Sequence, residues 1–149
     1  MPAKDRYHDV VIRALVKAGW RVIAEQAAVL VGGRRLWIDI EAAKGSDSLS
    51  ILVEVKGFEN MPSPVNYLAE AVGKYVLYRA ALNYGKVTTP LYMAVPTMAY
   101  TGILDEDLGQ QAIIAAGIRY PLKKSGGGRY TEATESEPDG ACICWMRWI

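Results

Sequence analysis

The chain has 149 residues, of which 51% are apolar and 22% charged, with a formal net charge of +1. That is enough length for one domain with a sizeable core, and the composition excludes extended disorder. Near-neutral charge excludes a bulk electrostatic affinity for nucleic acid and leaves any such binding to local charge.

No apolar run reaches the length that spans a bilayer, and Met1-Pro2-Ala3-Lys4-Asp5 carries no signal-peptide core, so the expected location is cytoplasmic, with no membrane partner. In chain order, Asp5 is placed to cap a first helix running to about Lys17, with Val10, Val11, Ala14, Leu15 and Ala18 on one side. Gly19 ends it. Residues 20–24 and 27–31 read as extended segments with a break near Glu25-Gln26, and Gly32-Gly33 signals a hairpin into the next strand. The polar loop after that strand leads to another, which Gly57 closes.

Met61-Pro62-Ser63-Pro64 is a punctuated loop entering the longest helix, about residues 64–83, whose apolar stripe is Leu68, Ala71, Val72, Tyr75, Tyr78 and Leu82. Leu91-Tyr92-Met93-Ala94-Val95 suits a strand buried on both faces. A helix over about residues 107–116 and a strand over 117–122 follow. Beyond them, residues 129–134 and 142–149 read as an added C-terminal β-hairpin after the flexible turn 125–128. The tail is apolar on both strand faces, and its Trp145 and Trp148 require cover from this domain or from a second copy of the chain. Cys142 and Cys144 stand two apart on one strand face, where a disulfide is strained, so both are expected reduced. The whole describes a single domain, 1–149, with a core at 1–122 and an extension at 123–149. Its class is α/β, or α+β if the helices segregate: a mixed β-sheet flanked by helices.

The chemistry concentrates in two strands, Trp37-Ile38-Asp39-Ile40-Glu41 and Leu52-Val53-Glu54-Val55-Lys56. Both alternate strictly. Leu36, Ile38 and Ile40 are expected on one face and Trp37, Asp39 and Glu41 on the other; Ile51, Val53 and Val55 are expected inward and Leu52, Glu54 and Lys56 outward. Pairing the strands puts Asp39, Glu41, Glu54 and Lys56 on one sheet face. Carboxylates beside an ammonium suit metal-assisted phosphodiester hydrolysis; they equally suit a solvated hairpin with a cross-strand ion pair. Glu70 and Lys74, four apart, are most simply a helix-surface pair. Tyr67, Tyr75 and Tyr78 read as core rather than as base-stacking platforms, and Arg34-Arg35 as a hairpin tip or a contact to a DNA backbone.

The order of the Asp39 strand, the Glu54-Val55-Lys56 strand and the long helix resembles the PD-(D/E)XK nuclease superfamily, with its restriction-endonuclease-like core. More narrowly, the opening nine residues, Gly32-Gly33 with Ile38-Asp39, Val53-Glu54-Val55-Lys56 with Phe58, Tyr78-Arg79-Ala80-Ala81-Leu82 and Leu91-Tyr92-Met93-Ala94-Val95-Pro96 are similar to the XisH family, the excision controlling factors of the cyanobacterial fdxN element. The resemblance implies Asp39 and Glu54 as metal-binding acids and Lys56 as catalytic lysine. Ile38 stands where a proline often precedes the first acid, and Lys74 where many members carry a glutamine.

In such a site Asp39, Glu54 and the Val55 backbone carbonyl would hold Mg²⁺ or Mn²⁺, Glu41 a second ion, and His8, Asp9 and Lys74 are accessory candidates. Three functional expectations follow. They are an endonuclease-like DNA-processing protein controlling element excision, a non-catalytic DNA-associated scaffold, and an assembly subunit with an XisI-like partner or a homo-oligomer through the C-terminal segment.

Overall fold

The computed structural model describes residues 7–46, 49–57, 63–96, 99 and 101–119, together with the strand at 143–148, of which, as for Arg119, only the backbone is described. The expected cap Asp5, the loop 58–62, Cys142 and the first arm of the expected hairpin, 129–134, lie outside these residues.

Helix α1, His8–Lys17, buries Val11, Ala14 and Leu15 and ends on Gly19, whose φ of 88° lets Trp20 N–H return to the Leu15 carbonyl. Strands β1, Arg21–Val31, and β2, Arg34–Lys44, form a long antiparallel hairpin. Gly32 and Gly33, at φ 53° and 82°, supply the two left-handed residues its tight turn needs. Arg34 and Arg35 stand exposed at the tip. β3, Leu49–Val55, pairs antiparallel with β2. Helix α2, Pro64–Tyr84, starts at Ser63, whose hydroxyl accepts the Asn66 N–H, and Pro64 occupies the first turn where no N–H is missed. β4, Leu91–Pro96, lies parallel to β3, as a helical crossover demands. Helix α3, Asp107–Ala115, leads to the short β5, Ile118–Arg119, and β6 is Ile143–Trp148.

The sheet order is β1-β2-β3-β4-β6-β5, with β1–β4 forming its mixed part. β6 inserts between β4 and β5, antiparallel to both, so the C-terminal segment is an interior strand rather than an arm added beside a finished core. Its backbone pairs within this chain on both sides.

Two clusters of buried side chains lie against the sheet. Val11, Ala14 and Leu15 of α1 pack with Ile40, Ala42, Ile51, Val53, Val55 and Ala94. Leu68, Ala71, Tyr75, Tyr78 and Leu82 of α2 pack with Ile38, Leu52, Leu91, Met93 and Val95. Two expectations are corrected here. Ile38 and Ile40 fall in different clusters, so the β1–β2 ribbon changes face at Asp39. Leu52 and Glu54 do not face solvent, being 6% and 1% exposed, because α2 covers that side of β3.

Of the tyrosines of α2, Tyr75 and Tyr78 behave as core, while Tyr67 is partly buried: Tyr75 donates to the Leu91 carbonyl and Tyr78 to that of Trp37, fixing the helix to β4 and β2. Two glycines differ sharply in what surrounds them. A Cβ on Gly109 would fall 2.0 Å from the Ile103 carbonyl oxygen, whereas one on Gly73, inside α2, meets nothing within 4 Å. Gly109→Ala is expected to destabilise by about 1–3 kcal/mol and Gly73→Ala to stabilise by about 0.5–1 kcal/mol, read by chemical denaturation.

Candidate functional site

The β2–β3 ladder runs from Lys44–Leu49 to Ile40–Val53 and stops there. At the next position two side chains replace the backbone pairing. Asp39 Oδ2 accepts the Val55 N–H at 2.8 Å, and Glu54 Oε2 accepts the Asp39 N–H at 3.3 Å. Each acid thus satisfies an amide on or beside the strand of the other, and both are buried, Asp39 at 8% and Glu54 at 1% exposure. The alternation of both strands and their register bring the pair together, as the sequence implies.

The cation beside Glu54 is Lys74, from α2, with Nζ 2.5 Å from Glu54 Oε1. At that distance the contact is a charge-assisted pair, in which the ammonium acts on Glu54 both by its charge and by a hydrogen bond. Lys56 also meets α2, about one turn nearer its start: its Nζ lies 3.4 Å from Glu70 Oε2 and 5.1 Å from the centre of the Tyr67 ring. Glu70 and Lys74 therefore each reach a strand residue, where the sequence read them as a pair along the helix surface.

Glu54 is pushed up from 4.5 to about 8. Burial is the larger cause and the Asp39 charge the second, while Lys74 and the Asp39 amide pull it down. Burial alone would lower Lys74, but the Glu54 charge overrides it and holds the ammonium above its usual range. The two shifts are compatible, because a lysine titrates where Glu54 is already ionised.

The remaining candidates sit apart. His8 is 1% exposed and its Nε2 lies 2.7 Å from Glu25 Oε1 on β1; Asp9 is exposed on α1. Glu41 stands one pleat from Asp39, opposite Leu52. Among the described residues no three His, Cys, Asp or Glu side chains gather as a metal-binding group. A residue that sequence reasoning did not select does touch the acids: Gln26 of β1 donates from Nε2 to Asp39 Oδ1 at 3.2 Å. Its only signal in the sequence is the break in hydropathy near Glu25-Gln26.

The sequence model of the XisH family, described as XisH protein, matches residues 1–122. The chain belongs to the XisH family. It is similar to the solved structure of an XisH family protein from Nostoc punctiforme PCC 73102, at 32% identity and TM-score 0.68, covering 75% of this chain and 85% of that one. A fdxN element excision controlling factor protein from Anabaena variabilis matches at 33% identity and TM-score 0.67, covering 75% and 84%. No curated protein matches. Among the described residues no helix of this XisH protein is long and apolar enough to cross a membrane.

Because the folded Glu54 carboxyl titrates above its unfolded value, its contribution to stability is complete below about 4.5 and is lost as pH rises through about 8. The melting temperature of Glu54→Gln is therefore expected to gain on that of wild type across this window. A constant difference between the two melting curves from acid to alkaline pH would contradict the assignment.

Proposed function

We propose that this XisH protein is a DNA-processing protein of element excision, acting in the cytoplasm, whose Asp39–Glu54 pair forms a phosphodiester-hydrolysing site of PD-(D/E)XK type. The observation that carries the reading is the exchange of amides between two buried acids at the point where the β2–β3 ladder ends. Two adjacent buried carboxylates that serve only structure are an expensive way to satisfy two N–H groups, since like charges and burial both oppose ionisation.

The donor set suits a hard divalent cation. Asp39 and Glu54 offer carboxylate oxygens, and the Val55 carbonyl lies next in the chain. Mg²⁺ or Mn²⁺ held by these residues would supply charge neutralisation at the phosphoryl group. The protein's own groups do the rest. The Val55 amide and Gln26 hold the Asp39 carboxylate in one orientation. Lys74 sets the protonation of Glu54, and Lys56, the lysine of the superfamily pattern, is the candidate for orienting the attacking water. Glu41 remains the candidate for a second ion; His8 and Asp9 act through α1 if at all.

A second reading is favoured by one observation, the Lys74 ammonium already seated on Glu54. A carboxylate neutralised by a lysine fits a DNA-associated scaffold that keeps the architecture without turnover and works with an XisI-like protein or a second copy of itself.

A nicking assay on supercoiled DNA with Mg²⁺ or Mn²⁺ separates the two. The catalytic reading expects cleavage that Asp39→Asn reduces by about 100-fold or more, and equal cleavage by the two proteins refutes it. The scaffold reading expects DNA or partner binding with no metal-dependent cleavage in either.

The lysines are distinguished by pH. Lys74→Met removes the group that lowers the Glu54 carboxyl, so the rate profile is expected to move to higher pH. Lys56→Met is expected to reduce kcat without moving it, and identical profiles for both variants would contradict this division of roles.

A further inference from the structure

Gln26 lies in β1 between the pairs Glu25–Ile40 and Ala27–Ile38, opposite Asp39. Its φ of 58° is left-handed, inside an 11-residue strand, for a residue with a long side chain. Such a conformation is unfavourable and persists only where flanking structure enforces it; here the ladder pairs on both sides do so. Exposure alternates along β1 through Gln26, which is partly buried in phase with Val22 and Ala24; Ala27 then breaks the alternation, and the Gln26 carboxamide reaches Asp39.

One orientation of that carboxamide is compatible with its neighbours. Nε2 donates to Asp39 Oδ1 at 3.2 Å, and the reverse would set two acceptors against each other. Oε1 is then left buried with no donor. Glu54, 1% exposed, has its Oε1 against the Lys74 ammonium at 2.5 Å. One buried oxygen in want of a positive partner, that of Gln26, therefore accompanies the two acids. A buried acceptor without a donor is a penalty that a cation removes, and amide and carboxylate oxygens are the ligands that hard divalent cations take.

We propose that Gln26 is a metal-site residue, its carboxamide oxygen ligating the divalent cation that Asp39 and Glu54 hold while its Nε2 fixes the Asp39 carboxylate. The proposal rests on the reading of those acids as a cation site. The left-handed Gln26 of β1 then delivers a third side-chain oxygen ligand from a strand outside the acid-bearing pair.

The test is calorimetric titration of the full chain with Mn²⁺, together with melting curves without metal. Wild type is expected to bind Mn²⁺ and Asp39→Asn to lose binding. Gln26→Ala is expected to bind at least about tenfold more weakly. Gln26→Glu keeps the oxygen and should bind at least as tightly as wild type, while melting lower without metal because a third carboxylate joins the pair. Gln26→Gly, free of the backbone strain, should melt above Gln26→Ala yet bind Mn²⁺ as weakly.

Equal affinity in wild type and Gln26→Ala, with binding lost in Asp39→Asn, overturns the role of Gln26 and leaves the acids as the site. Gln26→Glu as weak as Gln26→Ala overturns the ligand assignment. No Mn²⁺ binding by wild type, or binding indifferent to Asp39→Asn, overturns this proposal and the site reading together.

Discussion

Everything at the centre of this protein follows from a ladder that stops one residue early. Past the pair Ile40–Val53, β2 and β3 cease to exchange backbone hydrogen bonds, and the side chains of Asp39 and Glu54 stand in for the missing carbonyls. Buried N–H groups must find acceptors. Because a carboxylate does this from the end of a side chain, the strands are free to separate at that point while their amides stay satisfied. The same two groups therefore stitch the sheet and create the polar breach in it.

The breach also explains how two helices share one sheet. The β1–β2 ribbon offers Ile40 and Ala42 to α1 and Ile38 to α2, with the reversal falling at Asp39 and, across the ladder, at the left-handed Gln26. Helix α2 then crosses the outlet. Tyr78 ties it to the Trp37 carbonyl on one side and Tyr75 to the Leu91 carbonyl on the other, which places Lys74 over Glu54 and Glu70 within reach of Lys56. Neither lysine–glutamate contact is local in sequence, and the anchoring tyrosines decide both.

Much of this was legible beforehand, for identifiable reasons. Alternation in residues 36–41 and 51–56, with the turn residues that bound them, suffices to pair Asp39 with Glu54, because a one-residue slip would bury every charge and expose every aliphatic side chain. Gly19, Ser63-Pro64 and the Gly32-Gly33 turn mark element ends through backbone chemistry that is local and therefore readable. What was not legible is non-local. Burial of Leu52 and Glu54 depends on which face α2 covers, the choice of Glu54 over Glu70 as the partner of Lys74 depends on helix rotation, and the insertion of β6 beside β4 joins segments some fifty residues apart. Nor does hydropathy encode the backbone reversal at Gln26, which appears only as an interruption of pattern.

The electrostatics of the pair link the two functional readings. Two buried carboxylates side by side cannot both stay ionised without a positive charge between them, and three candidates can occupy that role at Glu54: a proton, the Lys74 ammonium, or a divalent cation. The proton holds Glu54 up to about pH 8, and Lys74, less than half exposed, approaches from the solvent edge of α2 on a flexible stem. A cation arriving at Glu54 must displace the first and push aside the second. The ammonium that neutralises Glu54 in a scaffold is thus the same group that, displaced toward the rim, remains available to a phosphate in an enzyme. The chain belongs to the XisH family and is similar to a fdxN element excision controlling factor protein; in the function proposed for it, the competition at this one oxygen decides what the site does.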